Sequence, residues 1–188
     1  MDQRERFQGA FRGWNLNWEG WRRNSQGEWW LLSQGMLILA VIGLPSWPYR
    51  LGQNLPAFAL SSLELLGGVI LLLGIGLAVL AFWTLGENLS PFPDPKPGIA
   101  IVCSGPYRLC RHPLYLAVLI CSFGVLLLRQ SPLHMVLLLT LVGVLRGKAQ
   151  REERGLLQRH PNYRTLMGQI PAIAPWIPGL NWQLQNPA

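Results

Sequence analysis

Residues 58–85 read FALSSLELLGGVILLLGIGLAVLAFWTL, and Glu64 is the only charged side chain in this stretch. A run of about 20 apolar residues is long enough to cross the hydrocarbon core of a bilayer as a helix. Three further apolar stretches lie at 29–47, 114–128 and 133–145. Half of the 188 residues are apolar and 13% are charged, against about 25% in soluble domains. The sequence therefore predicts an all-α integral membrane protein.

The four apolar stretches predict about four transmembrane helices in a single domain over residues 29–188. The last two stretches are short, and Arg129-Gln130-Ser131-Pro132 between them predicts a compact helical hairpin. The last helix is expected to continue beyond the membrane through Arg159, and residues 161–188 are expected to form a C-terminal cytosolic cap. Glycines in the second stretch predict close helix packing, and they are Gly67, Gly68, Gly74 and Gly76.

Residues 1–28 form a basic, tryptophan-rich segment before the first apolar stretch. Its aromatic residues recur at helical spacing, so they would lie on one face of a helix. They are Phe7, Phe11, Trp14, Trp18 and Trp21. A basic helix with such a face is typical of the membrane interface. An amphipathic interfacial helix is therefore predicted, and a tail that packs its aromatic side chains onto the rest of the protein is the alternative.

The distribution of lysine and arginine predicts the orientation in the membrane. With four spans, fourteen of the sixteen basic residues fall on one side, and Arg50 and Arg129 fall on the other. Basic loops remain in the cytosol, so both termini are predicted to be cytosolic in a multi-pass protein, as in a bacterial inner membrane. The net charge of +7 then has a topological explanation. It predicts contacts with membrane lipids and does not predict nucleic-acid binding.

Two polar clusters carry the candidate chemistry, and this topology places both on the cytosolic side. Residues 104–115 read SGPYRLCRHPLY, and residues 151–154 read REER. Arginine suits a carboxylate, glutamate suits an amine or ribose hydroxyls, and tyrosine faces hold a sulfonium or ammonium. This set fits S-adenosylmethionine with a lipophilic acceptor. Motifs of serine hydrolases, zinc proteases and P-loop or Rossmann proteins are absent from the sequence.

A specific resemblance supports this interpretation. Gly105-Pro106-Tyr107-Arg108-x-x-Arg111-His112-Pro113-x-Tyr115 resembles the signature of the isoprenylcysteine carboxyl methyltransferase and phospholipid methyltransferase superfamily. Glu152-Glu153-x-x-Leu156, Tyr163 and a later proline are similar to its second motif. The resemblance covers a core of about residues 80–178. It implies a polytopic methyltransferase that uses S-adenosylmethionine.

The resemblance also implies roles for individual residues, and no metal site. The catalytic residues would be Arg111, His112, Tyr115 and Glu153. The cofactor-binding residues would be Gly105, Tyr107, Arg108, His112, Pro113, Tyr115, Glu152, Glu153 and Tyr163. The acceptor would be a small lipophilic or lipid-borne molecule with a carboxylate, an amine or a thiol, and the sequence does not identify a protein partner.

Other interpretations of the same residues remain open. A membrane reductase of related scaffold would use NADPH, and a binding module without catalysis would keep the fold alone. Arg108 and Arg111 could anchor lipid phosphates, and His112 could cap the third span. Glu152 and Glu153 could form a solvated helix face. The three cysteines (Cys103, Cys110 and Cys121) are odd in number and lack a CxxC pair, so neither a disulfide framework nor a zinc site is indicated.

Overall fold

The computed structural model describes residues 27–88 and 101–184, and these residues form helices and connecting loops without a β-strand. The helices are α1 (Glu28–Gly43), α2 (Ala57–Leu85), α3 (Pro113–Arg129), α4 (Pro132–Arg159) and the short α5 (Tyr163–Met167), with 3-10 turns at Gly86–Asn88 and Gly105–Arg108. The predicted all-α class is confirmed for this part of the chain. The predicted interfacial helix lies outside the described residues.

Two of these helices, α2 and α4, are long and apolar enough to cross a membrane. Helices α1 and α3 are also apolar, but they contain 16 and 17 residues. At 1.5 Å per residue they extend about 25 Å, against a hydrocarbon core of about 30 Å. Two long apolar helices support the predicted membrane location, and the predicted number of about four complete crossings stays a prediction.

Large apolar side chains cover the outer surface of α1 and α2. Met36 and Leu39 on α1 are about 70% exposed, and so are Leu65 and Leu72 on α2. A continuous apolar surface of this kind is unfavourable in water and is satisfied by lipid chains. The backbone of each helix satisfies its own hydrogen bonds, as the bilayer requires.

Helix α1 ends four residues earlier than the sequence predicted. The prediction extended the first span to Trp47, but the helix ends at Gly43, and Leu44 is extended with φ −78° and ψ 144°. The cause is Pro45, because the ring of a proline excludes the preceding residue from the helical region. Trp47 lies instead in the following loop, where its backbone is hydrogen-bonded to the Ser131 hydroxyl in the α3–α4 turn.

Helices α2 and α3 pack closely through glycine. A Cβ on Gly74 would lie 2.6 Å from Cys121 Sγ, and a Cβ on Gly67 would lie 2.9 Å from the Gly124 carbonyl oxygen. Gly68 and Gly76 have open space at the same position. The predicted close packing is thus confirmed for two of the four glycines, because a Cβ on either of the other two would have no neighbour within 4 Å.

The two ends of the bundle differ in chemistry. At the end with the α1–α2 loop, Arg50 and Glu64 form an ion pair of 2.8 Å, and both side chains are about half exposed. The ion pair with Arg50 therefore gives a structural reason for the carboxylate of Glu64 in an otherwise apolar stretch. At the other end, α4 extends beyond its apolar part to Arg159, as predicted. There the C-terminal segment, residues 168–184, packs Ile173 into the core beside Leu116 and Leu145.

Candidate functional site

The first polar cluster is held in place by the C-terminal segment. The backbone N–H groups of Arg111 and His112 donate to the carbonyl oxygens of Pro171 and Ala172, at 2.9 Å each. Helix α3 begins at the next residue, Pro113, whose fixed φ suits the first helical position. Both side chains are thereby fixed at the start of α3, on the side that faces α4.

Glu153 of α4 lies at the centre of the site. Its Oε1 accepts a hydrogen bond from Arg111 Nε at 2.6 Å and lies 3.0 Å from His112 Nε2. Its Oε2 accepts a hydrogen bond from the Trp182 indole at 2.8 Å. Glu153 is 3% exposed, so a solvated helix face does not describe it. The two clusters predicted to meet are in direct contact.

This environment holds Glu153 ionised. The residue lies beyond Leu145, where the apolar part of α4 ends. Burial alone would raise the pKa of its carboxyl group, but the hydrogen bonds and electrostatic attraction of His112 and Arg111 outweigh burial and lower the pKa to about 2. An ionised carboxylate can only accept hydrogen bonds, so His112 must carry a hydrogen on Nε2.

The Arg111 side chain is buried, and each of its three nitrogens donates a hydrogen bond. In addition to Glu153, its guanidinium donates to the carbonyl oxygens of Ile170 and of Trp182, the latter at 3.0 Å. With 0% of the side chain exposed, it does not anchor a lipid phosphate. Arg108 and Gly105, by contrast, are exposed in the preceding 3-10 turn, so the structure does not bring them into the buried cluster.

Glu152 forms the half-exposed side of the same site. The Tyr115 hydroxyl donates to Glu152 Oε2 at 2.8 Å, and His112 Nδ1 lies 3.7 Å from that oxygen. The His112 and Tyr115 rings are parallel within 2°, with centroids 5.2 Å apart. His112 makes no side-chain cap on α3; its ring contacts both glutamates instead.

Three buried groups surround this cluster. Burial and then the charge of Glu152 raise the pKa of Tyr107, and burial and then the charge of Glu153 raise the pKa of Tyr163. Both phenols therefore stay protonated. Burial also raises the pKa of the Cys110 thiol to about 11, which removes the thiolate needed for a nucleophile. Pro113 is buried as well.

A cavity of about 420 Å³, largely open to solvent, lies beside Glu153 on the side of the C-terminal segment. It is lined by Gln150, Glu153, Arg154, Leu157, Trp182, Gln183 and Leu184. An acidic and a basic side chain next to an indole suit a zwitterion that also has a flat apolar part. Sequence analysis missed Trp182, because the stretch around it contains no motif and its role depends on the path of the C-terminal segment.

Lys148 was also missed. It is 3% exposed, donates to Gln34 Oε1 of α1 at 2.7 Å, and lies 5.3 Å from the centroid of the Tyr115 ring. Its spacing of four residues from Glu152, which puts both on one helix face, was the available signal.

Comparison with known proteins gives one match. Residues 63–162, a little over half of the chain, match the model of a family described as phospholipid methyltransferase. The matched stretch begins within α2, includes the residues around His112, and ends just before Tyr163. No curated protein and no solved structure gave a significant match.

Proposed function

Because the chain belongs to the phospholipid methyltransferase family, we propose that it transfers a methyl group from S-adenosylmethionine to a lipophilic acceptor at the cytosolic face of a membrane. The family supports methyl transfer as the reaction, and the apolar helices support a membrane location. The donor, the acceptor, the orientation and the residue roles are our proposal.

The observation that carries the proposal is the position of Glu153. This carboxylate is fixed by Arg111 and His112 on one oxygen and by Trp182 on the other, and it forms part of the wall of the cavity. A fixed carboxylate at a cavity wall suits the amine or the ribose hydroxyls of the donor, and Arg154 in the same wall suits its carboxylate. The cavity volume is adequate for a nucleoside with an amino-acid side chain.

We assign the residues to different tasks. Glu153, Glu152 and His112 would contact the donor, with Tyr107, Tyr163 and Pro113 packed behind them. Tyr115 would lie beside the transferred methyl group. Arg111 was expected to be catalytic, but the hydrogen bonds that its guanidinium donates within the protein favour a positioning role: it orients Glu153 and joins it to the C-terminal segment. Gly105 and Arg108 lie at the exposed edge, where they would have to reach the donor from the surface.

When bound, S-adenosylmethionine supplies a methyl group on a sulfonium sulfur, which leaves as a neutral thioether. For such a displacement the chain mainly has to hold donor and acceptor in line and exclude water. The buried His112 and Glu153, with the partly buried Tyr115 beside them, would form the fixed surface that holds the donor. The acceptor would arrive from the lipid through the apolar hairpin of α3 and α4. A carboxylate or thiolate acceptor needs no base, whereas an amine must first be neutral.

Binding of the demethylated product tests the proposal directly. Purified protein in detergent should bind S-adenosylhomocysteine in the micromolar range by calorimetry, and Glu153→Ala and His112→Ala should abolish binding. Glu64→Ala is the matched control, because its ion pair lies at the opposite end of the bundle. Wild-type affinity in the two site variants would place the donor elsewhere. Binding of NADPH in place of S-adenosylhomocysteine would instead indicate the reductase.

A further inference from the structure

Lys148 lies between the donor cavity and the apolar part of α4. It precedes Glu153 by five residues, so it is about 7.5 Å nearer to the apolar residues along the helix axis. It shares a helix face with Glu152 and lies over the Tyr115 ring. A lipid-borne acceptor that approaches from the bilayer would therefore reach Lys148 before it reaches Glu153.

Among the described residues, the hydrogen-bond partner of the buried Lys148 is a neutral one. Its ammonium donates to the neutral amide oxygen of Gln34. Glu64, Glu152 and Glu153 form their ion pairs with other groups. Glu152, one turn further along α4, also accepts a hydrogen bond from Tyr115. A buried cation is costly unless an anion accompanies it, and an ammonium can donate three hydrogen bonds.

We propose that Lys148, held by Gln34, is a specificity-determining residue that binds an anionic group of the acceptor and disfavours a cationic one. This inference rests on the proposed methyltransferase function. The group that Lys148 would recognise is a negatively charged oxygen of the acceptor. It belongs either to the carboxylate that is methylated or to a phosphate beside the methylated atom. The same ammonium repels an acceptor that arrives with a net positive charge.

The hydrogen bond between Lys148 and Gln34 extends the proposed site beyond the residues that match the family model. Gln34 belongs to α1, which precedes residue 63. Helix α1 approaches α4 closely at this level, because a Cβ on Gly147 would collide with the Trp30 ring. The position of Lys148 therefore depends on a helix outside the family match, as expected of a residue that tunes acceptor choice rather than the common chemistry.

Matched single-chain amphiphiles test the inference. Decanoate, decyl phosphate and decylammonium differ in headgroup charge and share one alkyl chain. Their binding is measured by calorimetry on the protein in phosphatidylcholine nanodiscs, with empty nanodiscs subtracted. We expect Lys148→Met to weaken binding of the anions by about tenfold, a Coulomb effect of a partly buried charge, and not to weaken binding of decylammonium. Lys148→Arg should keep the anion preference. Whichever of decanoate and decyl phosphate binds the wild type more tightly identifies the group recognised as a carboxylate or a phosphate.

A second pair of variants leaves the lysine in place. Gln34→Glu puts a carboxylate beside the ammonium, so the anion preference should collapse as it does in Lys148→Met. Gln34→Met removes the amide that holds the lysine without adding charge, and it should reduce the preference less than Gln34→Glu does. An unchanged ratio of anion to cation affinity in both Lys148→Met and Gln34→Glu would overturn the inference.

Donor binding in the same preparations separates the two proposals. S-adenosylhomocysteine should bind Lys148→Met within about threefold of the wild type, because the lysine serves the acceptor. If its affinity falls tenfold while the amphiphiles are unaffected, the anion is the donor's own carboxylate and the inference is wrong, although the proposed function stands. If the wild type does not bind S-adenosylhomocysteine, the proposed function fails, whatever the amphiphiles do.

Discussion

The Glu153 carboxylate and the Arg111 guanidinium are 2.6 Å apart, although 42 positions separate them in the chain. Both are buried, so removal of the negative charge leaves an uncompensated cation in the interior. We predict that Glu153→Gln lowers the free energy of unfolding by about 3 kcal/mol, measured by denaturant unfolding in detergent. The control Glu64→Gln breaks a half-exposed pair and should cost less than about 1 kcal/mol. Equal losses in the two variants would contradict the assignment of Glu153 as the central buried anion.

The same pair predicts how stability depends on pH. The pKa of Glu153 is about 2 in the folded protein, against an ordinary value of 4.5. The stabilisation is therefore complete above about pH 4.5 and is lost as the pH falls towards 2. Its size is about 3 kcal/mol. Unfolding curves at pH 6 and pH 3 should differ more for the wild type than for Glu153→Gln, and parallel curves would exclude this group as the source.

Glycine packing between α2 and α3 gives a paired test. Gly67→Ala and Gly74→Ala place a methyl group against the α3 backbone, so we predict a loss of about 1–3 kcal/mol in unfolding free energy. Gly68→Ala and Gly76→Ala lie on the open face of α2. They should be neutral or stabilising by up to about 1 kcal/mol, because alanine favours a helix over glycine. Thermal unfolding of the four variants shows whether alanine destabilises the packed face of α2 and leaves the open face unaffected.

The hydroxyl of Tyr115 is expected to orient Glu152. Tyr115→Phe keeps the ring that stacks on His112 and removes the 2.8 Å hydrogen bond to the carboxylate. A hydrogen bond to a charged group contributes about 1.5–3 kcal/mol. We therefore predict roughly tenfold weaker binding of S-adenosylhomocysteine by calorimetry. Tyr49→Phe, in an exposed loop at the other end, is the control. Unchanged affinity in Tyr115→Phe would remove Glu152 from the donor site.

Trp182 should link the C-terminal segment to donor binding. Trp182→Phe removes the indole N–H that donates to Glu153 and reduces the apolar wall of the cavity. We predict about tenfold weaker binding of S-adenosylhomocysteine, from the loss of one charge-assisted hydrogen bond. Trp176→Phe changes an exposed tryptophan of the same segment and should bind normally. If both variants bind normally, the cavity beside Glu153 is not the donor site.

The sequence predicted the parts of the site that local patterns encode. The apolar run at 58–85 predicted α2 within one residue, and the order of the two motifs predicted that His112 and Glu153 belong to one site. Charge and hydrophobic periodicity are properties of residues close together in the chain, so they can be read without the tertiary structure. The early end of α1 was also readable in principle, because the effect of Pro45 on the residue before it is local.

The remaining features depend on tertiary packing. The backbone oxygens of Ile170 and Trp182 contact Arg111 because the C-terminal segment folds back over α4. The sequence of a loop has no periodic pattern from which this path could be predicted. Gln34 reaches Lys148 only through the packing of α1 on α4. The proposed positioning role of Arg111 has the same origin: the family motif suggested a catalytic role, and the partners of its guanidinium are known only from the fold.

The dependence of Arg111 on residues 170–182 fixes the order in which the protein matures. A ribosome that has already delivered both long helices to the bilayer has not yet translated the residues whose carbonyl groups receive this guanidinium. A nascent chain truncated before residue 170 would keep Glu153 as the partner of Arg111 but would lack the carbonyl oxygens of Ile170 and Trp182. Assembly of this end of the protein therefore waits for the last residues to be translated.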